Sequence, residues 1–358
     1  MRVYAFDLMP WPHLDEASYY PDPNAKFDPV RGQAVYAEHL DQMVLCEELG
    51  FDAIGINEHH AKPYGLMPSP NLIAAALTQR TRRIKIALLG NLPALHAHPV
   101  RLAEEIAMLD VMSGGRIISG FVRGVPQEYL ALGGSLPESR ERLDEAWELV
   151  VRAWTTREPF PWQGKHFQYD RVSIWPRPLQ QPHPPTYALG TSRESCDFAA
   201  RNHLGCGVSY GSFESVGRAT RYYREQCAHY GWTPTPEQIV YRANMLLAET
   251  DDEAEAQFRQ LPNQRPFTMR PGVTDALNKL DSRNIAGQSR APIVGGALPT
   301  TFVGGPDTVV EQVRRCRDEV GAGVLDLSLH PPGSGDLDPL MRALDLFGTK
   351  VLPRIRDI

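Results

Sequence analysis

Apolar positions along the chain alternate between short continuous runs and longer stretches with helical spacing. In the clearest unit, residues 35–49 carry apolar side chains near helical spacing, Gly50 follows, and residues 52–57 form a short apolar run. Glycine commonly ends a helix, and a short apolar run is typical of a strand buried on both faces. The pattern therefore predicts a helix followed by a buried strand.

This alternation recurs through the whole chain and gives eight predicted strands. The strands cover residues 2–9, 52–57, 84–91, 116–122, 186–190, 205–210, 239–248 and 323–329. The predicted helices cover residues 35–49, 70–81, 99–113, 138–154, 193–202, 213–230, 306–319 and 337–349. Strands that alternate with helices form parallel sheets, and this number favours a closed (β/α)8 barrel of the TIM type over an open doubly wound sheet.

The surplus length lies in two inserts within one domain that covers residues 1–358. Residues 156–185 are rich in proline and aromatic residues, and residues 260–302 mix Pro, Gly, Arg and Asn with little periodicity. Long irregular segments in compact domains are commonly lids or binding loops, and disorder is the alternative. We expect the inserts to serve a binding site.

Composition and charge narrow the class of protein. The 358 residues are 42% hydrophobic with a net charge of -6, and no basic stripe suited to nucleic acid or an anionic membrane is present. The five cysteines show no CxxC spacing, which fits a reducing compartment and predicts no metal site. Asp7 interrupts the first apolar run early, and no long apolar run follows, so we expect a cytoplasmic protein.

A cluster of ionisable residues, Asn57-Glu58-His59-His60, follows the second predicted strand. In a barrel this end of the strand opens into the catalytic face. Since neighbouring strand residues point to opposite faces, Glu58 and His60 should share one direction and His59 the other. The spacing is not that of the zinc-binding HExxH helix. These residues are catalytic candidates, with a polar strand cap as the alternative.

Arg123 and Gly124 follow the fourth predicted strand, and Tyr129 lies close behind on the same expected rim. A guanidinium at the mouth is suited to a phosphate or a ring carbonyl, and a glycine allows a ligand to approach the backbone. An ordinary surface ion pair is the competing interpretation of Arg123.

Hydroxyl groups are concentrated where the fifth strand joins its helix, at Thr191, Ser192 and Ser195. Free N–H groups at a helix N-terminus attract anions, so this turn is either a phosphate site or an ordinary cap formed by Ser192. The chain lacks the GxxxxGK[ST] and GxGxxG patterns, which disfavours an ATP-hydrolysing or dinucleotide-binding fold.

At this level of detail the chain resembles the bacterial luciferase-like family of flavin-dependent monooxygenases over nearly its whole length. The resemblance is carried by Gly50-Phe51-Asp52, Asn57 to His60, Gly65 to Pro70, His98 to Glu105, Leu109 to Arg116, Arg123-Gly124 and Gly304 to Asp307. Each motif alone is modestly specific. Their order and spacing together are strongly so.

The resemblance implies roles for individual residues. His59 stands where the family has the histidine linked to its flavin peroxide, with Glu58 and His60 beside it. A cis peptide under the flavin ring is implied near Leu89-Gly90-Asn91, with Asn91 as a cofactor contact. The implied phosphate ligands are Arg123, Thr191, Ser192 and Ser195, with Tyr129 on the rim and Arg290 completing the site. Thr191 replaces an acidic residue of the family.

The resemblance also implies a reaction. Reduced FMN supplied by a separate flavin reductase would react with O2 to give a C4a-hydroperoxide, which oxygenates a small organic substrate, and the protein would be a homo- or heterodimer. A deazaflavin-dependent oxidoreductase of the same fold is the main alternative, and a non-catalytic flavin-binding relative is another. The intact group of Glu58, His59 and His60 argues against the second. An unrelated barrel hydrolase would need metal ligands or paired carboxylates, and no convincing set is present.

Overall fold

The computed structural model describes residues 1–12, 19–20, 23–63, 65–260, 268–269, 300–329 and 337–358. Its strands are β1 Arg2–Phe6, β2 Tyr19–Tyr20, β3 Ala53–Ile56, β4 Lys85–Asn91, β5 Ile117–Val122, β6 Phe160–Gln163, β7 Gln168–Val172, β8 Thr186–Leu189, β9 Gly205–Ser209, β10 Ile239–Leu247, β11 Thr268–Met269, β12 Thr300–Gly304 and β13 Val324–Ser328.

The helices fall between these strands, as the sequence pattern predicts. They are α1 Pro29–Glu48, α2 Pro70–Arg80, α3 Pro99–Ser113, α4 Pro126–Leu132, α5 Ser139–Thr155, α6 Arg193–Arg201, α7 Phe213–His229, α8 Asp251–Gln260, α9 Pro306–Val320, α10 Leu337–Leu346 and α11 Leu352–Ile355, with a π-helical turn at Phe347–Val351.

Eight parallel strands close into a barrel in the order β1, β3, β4, β5, β8, β9, β10 and β13, and β13 pairs again with β1. The predicted (β/α)8 barrel is confirmed, and each of its eight strands overlaps a predicted one. The additional strand β12 begins in the second predicted insert. It pairs with the last residues of β10, beyond those that pair with β9. The carboxyl ends of all these strands form the mouth of the barrel.

Side chains that point into the barrel form layers. The layer nearest the amino ends of the strands is an apolar cluster that includes Tyr4, Ala53, Ala87, Ile118, Tyr187, Val240 and Val324. The next inward positions, two residues further along each strand, include the charged residues Arg242 and Asp326. The barrel is therefore apolar at its base and polar towards its mouth.

Helix α1 begins earlier than the predicted residue 35 because its start is fixed by capping. Asp28 Oδ1 accepts hydrogen bonds from the backbone N–H groups of Val30 and Arg31, at 2.8 and 3.3 Å, and Pro29 occupies the first helical position. The exposed first turns carry no apolar periodicity, so the pattern marked only the buried part.

The first insert, residues 156–185, packs on α5 in its first half and runs to the base of the barrel in its second half. Its first half is an antiparallel hairpin of β6 and β7, held by Glu145 of α5, which accepts from the backbone N–H groups of His166 and Phe167 at 2.8 and 2.9 Å. In its second half, Gln180 donates to Asp110 and to the carbonyl of Ile117, near the amino end of β5. The expected lid is, in this segment, a connection back to the base of the barrel.

The second insert, residues 260–302, lies mostly outside the described residues, and so does its expected role as a lid. Its β11 pairs in parallel with β2, which lies between β1 and α1. Among the described residues, no helix is long and apolar enough to cross a bilayer.

Candidate active site

Glu58 lies just beyond the end of β3 and is the most connected carboxylate of the mouth. Its Oε1 accepts from His60 Nε2 at 2.9 Å, and its Oε2 accepts from the backbone N–H of Leu92 at 3.1 Å and lies 3.7 Å from His96 Nε2. Burial alone would raise the pKa of Glu58, but the contacts with His60 and His96 lower it to about 2. Glu58 is thus a fixed anion that orients two imidazoles.

His59 turns to the other side, as the strand alternation predicts. Its Nδ1 lies 2.8 Å from Oε1 of Glu128, which is buried in α4 and whose Oε2 accepts from the backbone N–H of Val125 at 3.0 Å. A carboxylate only accepts hydrogen bonds, so His59 Nδ1 carries the proton and donates it. In the neutral imidazole, Nε2 is left as an acceptor. Sequence reasoning did not pair Glu128 with His59.

The surroundings of His59 favour its neutral form. Burial lowers the pKa of His59, the positive charges of Lys62 and Arg242 lower it further, and Glu128 opposes them. Burial also lowers the pKa of Lys62 to about 8, against the opposing charge of Glu128. At neutral pH, His59 is therefore an uncharged imidazole between charged groups, which suits it to exchange protons.

Arg123 begins the loop after β5, and two contacts fix this loop. The Tyr129 hydroxyl donates a short hydrogen bond to the backbone carbonyl of Arg123. Gly124 has a φ of +89°, and a Cβ there would lie 2.9 Å from a methyl carbon of Leu92. Tyr129 therefore supports the Arg123 loop from within the core, where it is 1% exposed, which differs from its predicted role as a rim contact.

A second guanidinium, which the sequence analysis missed, lies at the turn before α6, close enough to Arg123 for the two charges to interact. Arg140 Nη1 lies 3.5 Å from Ser195 Oγ. Burial and the charge of Arg123 lower the pKa of Arg140, while Glu194 and Asp144 raise it. Two like charges held close at a partly buried site are suited to an anion between them. The separation of 55 residues between Arg140 and Ser195 left no local pattern to reveal the contact.

The turn before α6 has the geometry of an anion site. Ser192 caps the helix by accepting from the backbone N–H of Ser195 at 3.2 Å, and the two hydroxyl oxygens lie 3.0 Å apart. Gly190 has a φ of +148°, and a Cβ at this position would come within 2.6 Å of Ser195 Oγ. Thr191 lies half-buried in the same turn. Capping by Ser192 and anion binding, posed as alternatives, are compatible here because the hydroxyl of Ser195 still lies beside the guanidinium of Arg140.

Asn91 ends β4 inside the mouth. Its Nδ2 donates to Asn71 Oδ1 at 3.2 Å, and its buried Oδ1 has no partner among the described residues. The Leu89–Gly90 peptide bond is cis, in agreement with the position implied by the family resemblance. Arg290 lies outside the described residues.

These groups divide the mouth into two parts. Arg123, Arg140, Ser192 and Ser195 form a cradle of positive charge and hydroxyl groups. In the other part, the imidazole of His59 is held by Glu128, and Asn91 Oδ1 has no partner among the described residues. A ligand that combines a phosphate with a ring bearing N–H and C=O groups would match both parts.

Comparison with known proteins assigns the family. The profile described as Luciferase-like monooxygenase matches residues 20–323, which is most of the chain. The protein therefore belongs to the luciferase-like monooxygenases, a family of flavin-dependent enzymes built on a (β/α)8 barrel.

Individual relatives show the breadth of this family. The oxygenase component of the flavin-dependent trigonelline monooxygenase of Acinetobacter baylyi is 27% identical over 228 residues, which cover 62% of this chain and 62% of that relative, less than two thirds of its length. An F420-dependent glucose-6-phosphate dehydrogenase of Nakamurella multipartita is 27% identical over 89% of this chain and 93% of that relative. In three dimensions, the crystal structure of monooxygenase RslO1 from Streptomyces bottropensis aligns with a TM-score of 0.77 and 29% identity, covering 99% of each chain.

Proposed function

We propose that this protein is the oxygenase of a two-component, FMN-dependent monooxygenase that acts on a small organic substrate. The observation that carries the proposal is the pairing of two features in one barrel mouth. One is the cradle of Arg123, Arg140 and Ser195, and the other is the neutral imidazole of His59 held by Glu128.

The cradle would hold the FMN phosphate. The guanidinium groups of Arg123 and Arg140 would neutralise its charge, and the hydroxyls of Ser192, Ser195 and Thr191 with the first N–H groups of α6 would donate hydrogen bonds to its oxygens. Asn91, with its unpartnered buried Oδ1, would accept from an N–H group of the ring. These contacts would fix the ring at the carboxyl end of β4.

His59 would manage protons beside that ring. Reduced flavin, when bound, supplies the electrons that activate O2. The Nε2 of His59 is the ring nitrogen that can accept a proton from a reacting group and return it, because Glu128 fixes Nδ1 as the donor. Glu58 keeps His60 and His96 oriented and does not itself change charge near neutral pH, since its pKa is about 2.

Partner molecules follow from the same proposal. The chain has no GxGxxG fingerprint for a pyridine nucleotide, and its relative in Acinetobacter baylyi is named as an oxygenase component. Both points support a separate flavin reductase as the source of reduced FMN. The cytoplasmic location and the homo- or heterodimeric state remain predictions.

A deazaflavin-dependent oxidoreductase is the second candidate, favoured by the F420-dependent relative that matches 89% of this chain. Such an enzyme would transfer hydride without consuming O2. The distinguishing measurement is O2 uptake by the protein with reduced FMN and, separately, with reduced F420. We expect uptake to depend on the protein only with FMN.

Flavin binding tests the cradle directly. We expect Arg123→Ala and Arg140→Ala each to weaken FMN binding roughly tenfold or more, because a charge-assisted hydrogen bond contributes about 1.5–3 kcal/mol. Binding of riboflavin, which lacks the phosphate, should change little. Fluorescence titration of each flavin measures both affinities.

Arg142→Ala is the matched control, since Arg142 lies on the same helix as Arg140 but donates to the backbone carbonyl of Ala94 at 3.0 Å. It should leave the ratio of FMN to riboflavin affinity unchanged. If Arg123→Ala and Arg140→Ala weaken both flavins equally, these arginines do not bind the phosphate.

A further inference from the structure

A buried ion pair lies inside the barrel where an apolar layer would suffice for folding. Arg242 Nε lies 2.7 Å from Oδ2 of Asp326, and their side chains are 11% and 0% exposed. The guanidinium also lies 3.6 Å above the ring of Phe6. A buried ion pair is seldom more stabilising than apolar residues of similar volume, so stability alone does not account for it.

Arg242 reaches across the barrel. Its Nη2 donates to the backbone carbonyl of Leu89 at 2.8 Å, although β10 and β4 are not neighbouring strands. The guanidinium thus lies directly below the mouth, close enough for its charge to act on His59 and on Tyr210. This is the floor of the proposed active site.

Within the described chain, this floor has unused donors on Arg242 and Asn244, beside one unpaired acceptor, Oδ1 of Asp326. Of the five N–H groups of a guanidinium, those of Arg242 make two hydrogen bonds within the described chain, to Asp326 and Leu89. Asn244, two residues further along β10 and so on the same inward face, has a buried Nδ2 without a partner among the described residues. Unused donors that converge below a ligand site indicate an acceptor atom on the ligand.

The charges around this floor are balanced. Arg242 is paired with Asp326, and the carboxylate of Glu128 opposes the positive charge of Lys62. His59 is neutral, and the carboxylate of Glu58 lies between His60 and His96. An anionic substrate would therefore meet no uncompensated positive charge here and would lose its hydration. A neutral acceptor group, such as a ketone, amide or lactone oxygen, fits better.

We propose that Arg242, held in place by Asp326, is the substrate-recognition residue of the site and donates a hydrogen bond to an acceptor oxygen of a neutral substrate. The inference rests on the proposed function, because it names the substrate class of the same mouth. Asp326 is a positioning residue, and Asn244 supplies a second donor.

Three probes that share one ring test this assignment: benzamide, benzoate and toluene. They are titrated by ligand-observed NMR against the protein saturated with FMN. The test variant is the double replacement Arg242→Met/Asp326→Leu, which removes both charges together and so avoids an unpaired buried carboxylate. We expect benzamide to bind the parent more tightly than benzoate does and roughly tenfold or more tightly than it binds the double variant. Toluene should bind the double variant at least as well as the parent.

Arg242→Lys is the second variant, since it keeps the ion pair with Asp326 but replaces the planar fork by one ammonium; it should also lose affinity for benzamide. Arg224→Met is the control, because Arg224 donates to the carbonyl of Gly321 at the opposite end of the barrel. Unchanged benzamide affinity in a folded variant, absence of benzamide binding to the parent, or tighter binding of benzoate overturns the proposal. FMN affinity should be the same in the parent and the Arg242 variants, and a parent that binds no FMN contradicts the proposed function instead.

Discussion

Buried polar groups at the two ends of the barrel differ in how many of their hydrogen-bonding atoms are paired within the protein. At the amino ends of the strands, Arg116 uses its guanidinium fully: it donates to the carbonyls of Ser113, Thr78, Thr81 and Ile84 and to the hydroxyl of Thr81, at 2.8 to 3.2 Å. At the carboxyl ends, Arg242 makes only two hydrogen bonds within the described chain.

Carboxylates show the same contrast. Glu47, at the base, accepts from three consecutive backbone N–H groups, those of Arg82, Arg83 and Ile84, and these bonds lower its pKa although burial opposes them. Glu128, at the mouth, accepts with one oxygen from the backbone N–H of Val125, which caps its own helix, and with the other from the imidazole of His59. Buried charged groups at the base form hydrogen bonds with the backbone, whereas those at the mouth also form them with other functional side chains.

This difference separates stability from function within one fold. Groups that bond to the backbone at the base hold helices and strands together. Groups at the mouth are arranged around atoms that have no hydrogen-bond partner in the described part of the chain, such as Oδ1 of Asn91 and Nδ2 of Asn244. Such atoms cost folding free energy that a ligand can offset. Substitutions at the two ends should therefore affect different measurements.

The largest expected effect on folding is at the base. Arg116→Met should lower the free energy of unfolding by about 2–4 kcal/mol, because several buried carbonyl groups lose their donors at once. Arg123→Met, at the mouth, should change it by less than about 0.5 kcal/mol. Urea unfolding followed by circular dichroism measures both.

Arg116→Lys tests the same comparison. One ammonium group cannot replace a planar guanidinium that bonds to five acceptors, so we expect Arg116→Lys to show most of the decrease in the free energy of unfolding expected for Arg116→Met. Equal destabilisation by Arg116→Met and Arg123→Met would show that the two ends do not differ in the way described.

The barrel was predictable because of where its strands lie. Strands buried on both faces, such as Ala53–Ile56 and Val324–Ser328, read as continuous apolar runs with helical stretches between them. The predicted elements omitted α4, α8 and the hairpin of β6 and β7, which are short or exposed and carry little apolar periodicity. In those segments a few hydrogen bonds to neighbouring helices, rather than the sequence pattern, decide the structure.

The site was predictable only where partners are close in sequence. The contact of Glu58 with His60 follows from the alternation of strand residues. The contacts of His59 with Glu128 and of Arg140 with Ser195 join residues 69 and 55 positions apart, and they arise only when the barrel closes. The ion pair of Arg242 and Asp326, on neighbouring strands β10 and β13, is of the same kind. Long-range pairing of charged groups leaves no local pattern.

The smallest expected effect on folding, and the most specific to the mouth, concerns the proton on His59. Glu128 presents two acceptor oxygens, to His59 Nδ1 and to the backbone N–H of Val125. Glu128→Gln keeps only one acceptor. A glutamine at this third helical position can still bond back to Val125, which preserves the helix cap, so its NH2 group would face His59. We therefore expect the imidazole to move its proton from Nδ1 to Nε2, which removes the acceptor that the proposed function requires.

The same substitution should lower the pKa of His59 further, because Glu128 is the charge that opposes burial. Since the folded pKa lies below the unfolded value of about 6.5, this histidine reduces stability as the pH falls from that value towards the folded pKa, and Glu128→Gln should widen the interval. Nitrogen-15 NMR of the imidazole reports both the tautomer and the titration, with the exposed Glu141→Gln as control. If the proton stays on Nδ1 and the pKa of His59 is unchanged, Glu128 does not position His59, and the mouth would differ from the base less than its geometry indicates.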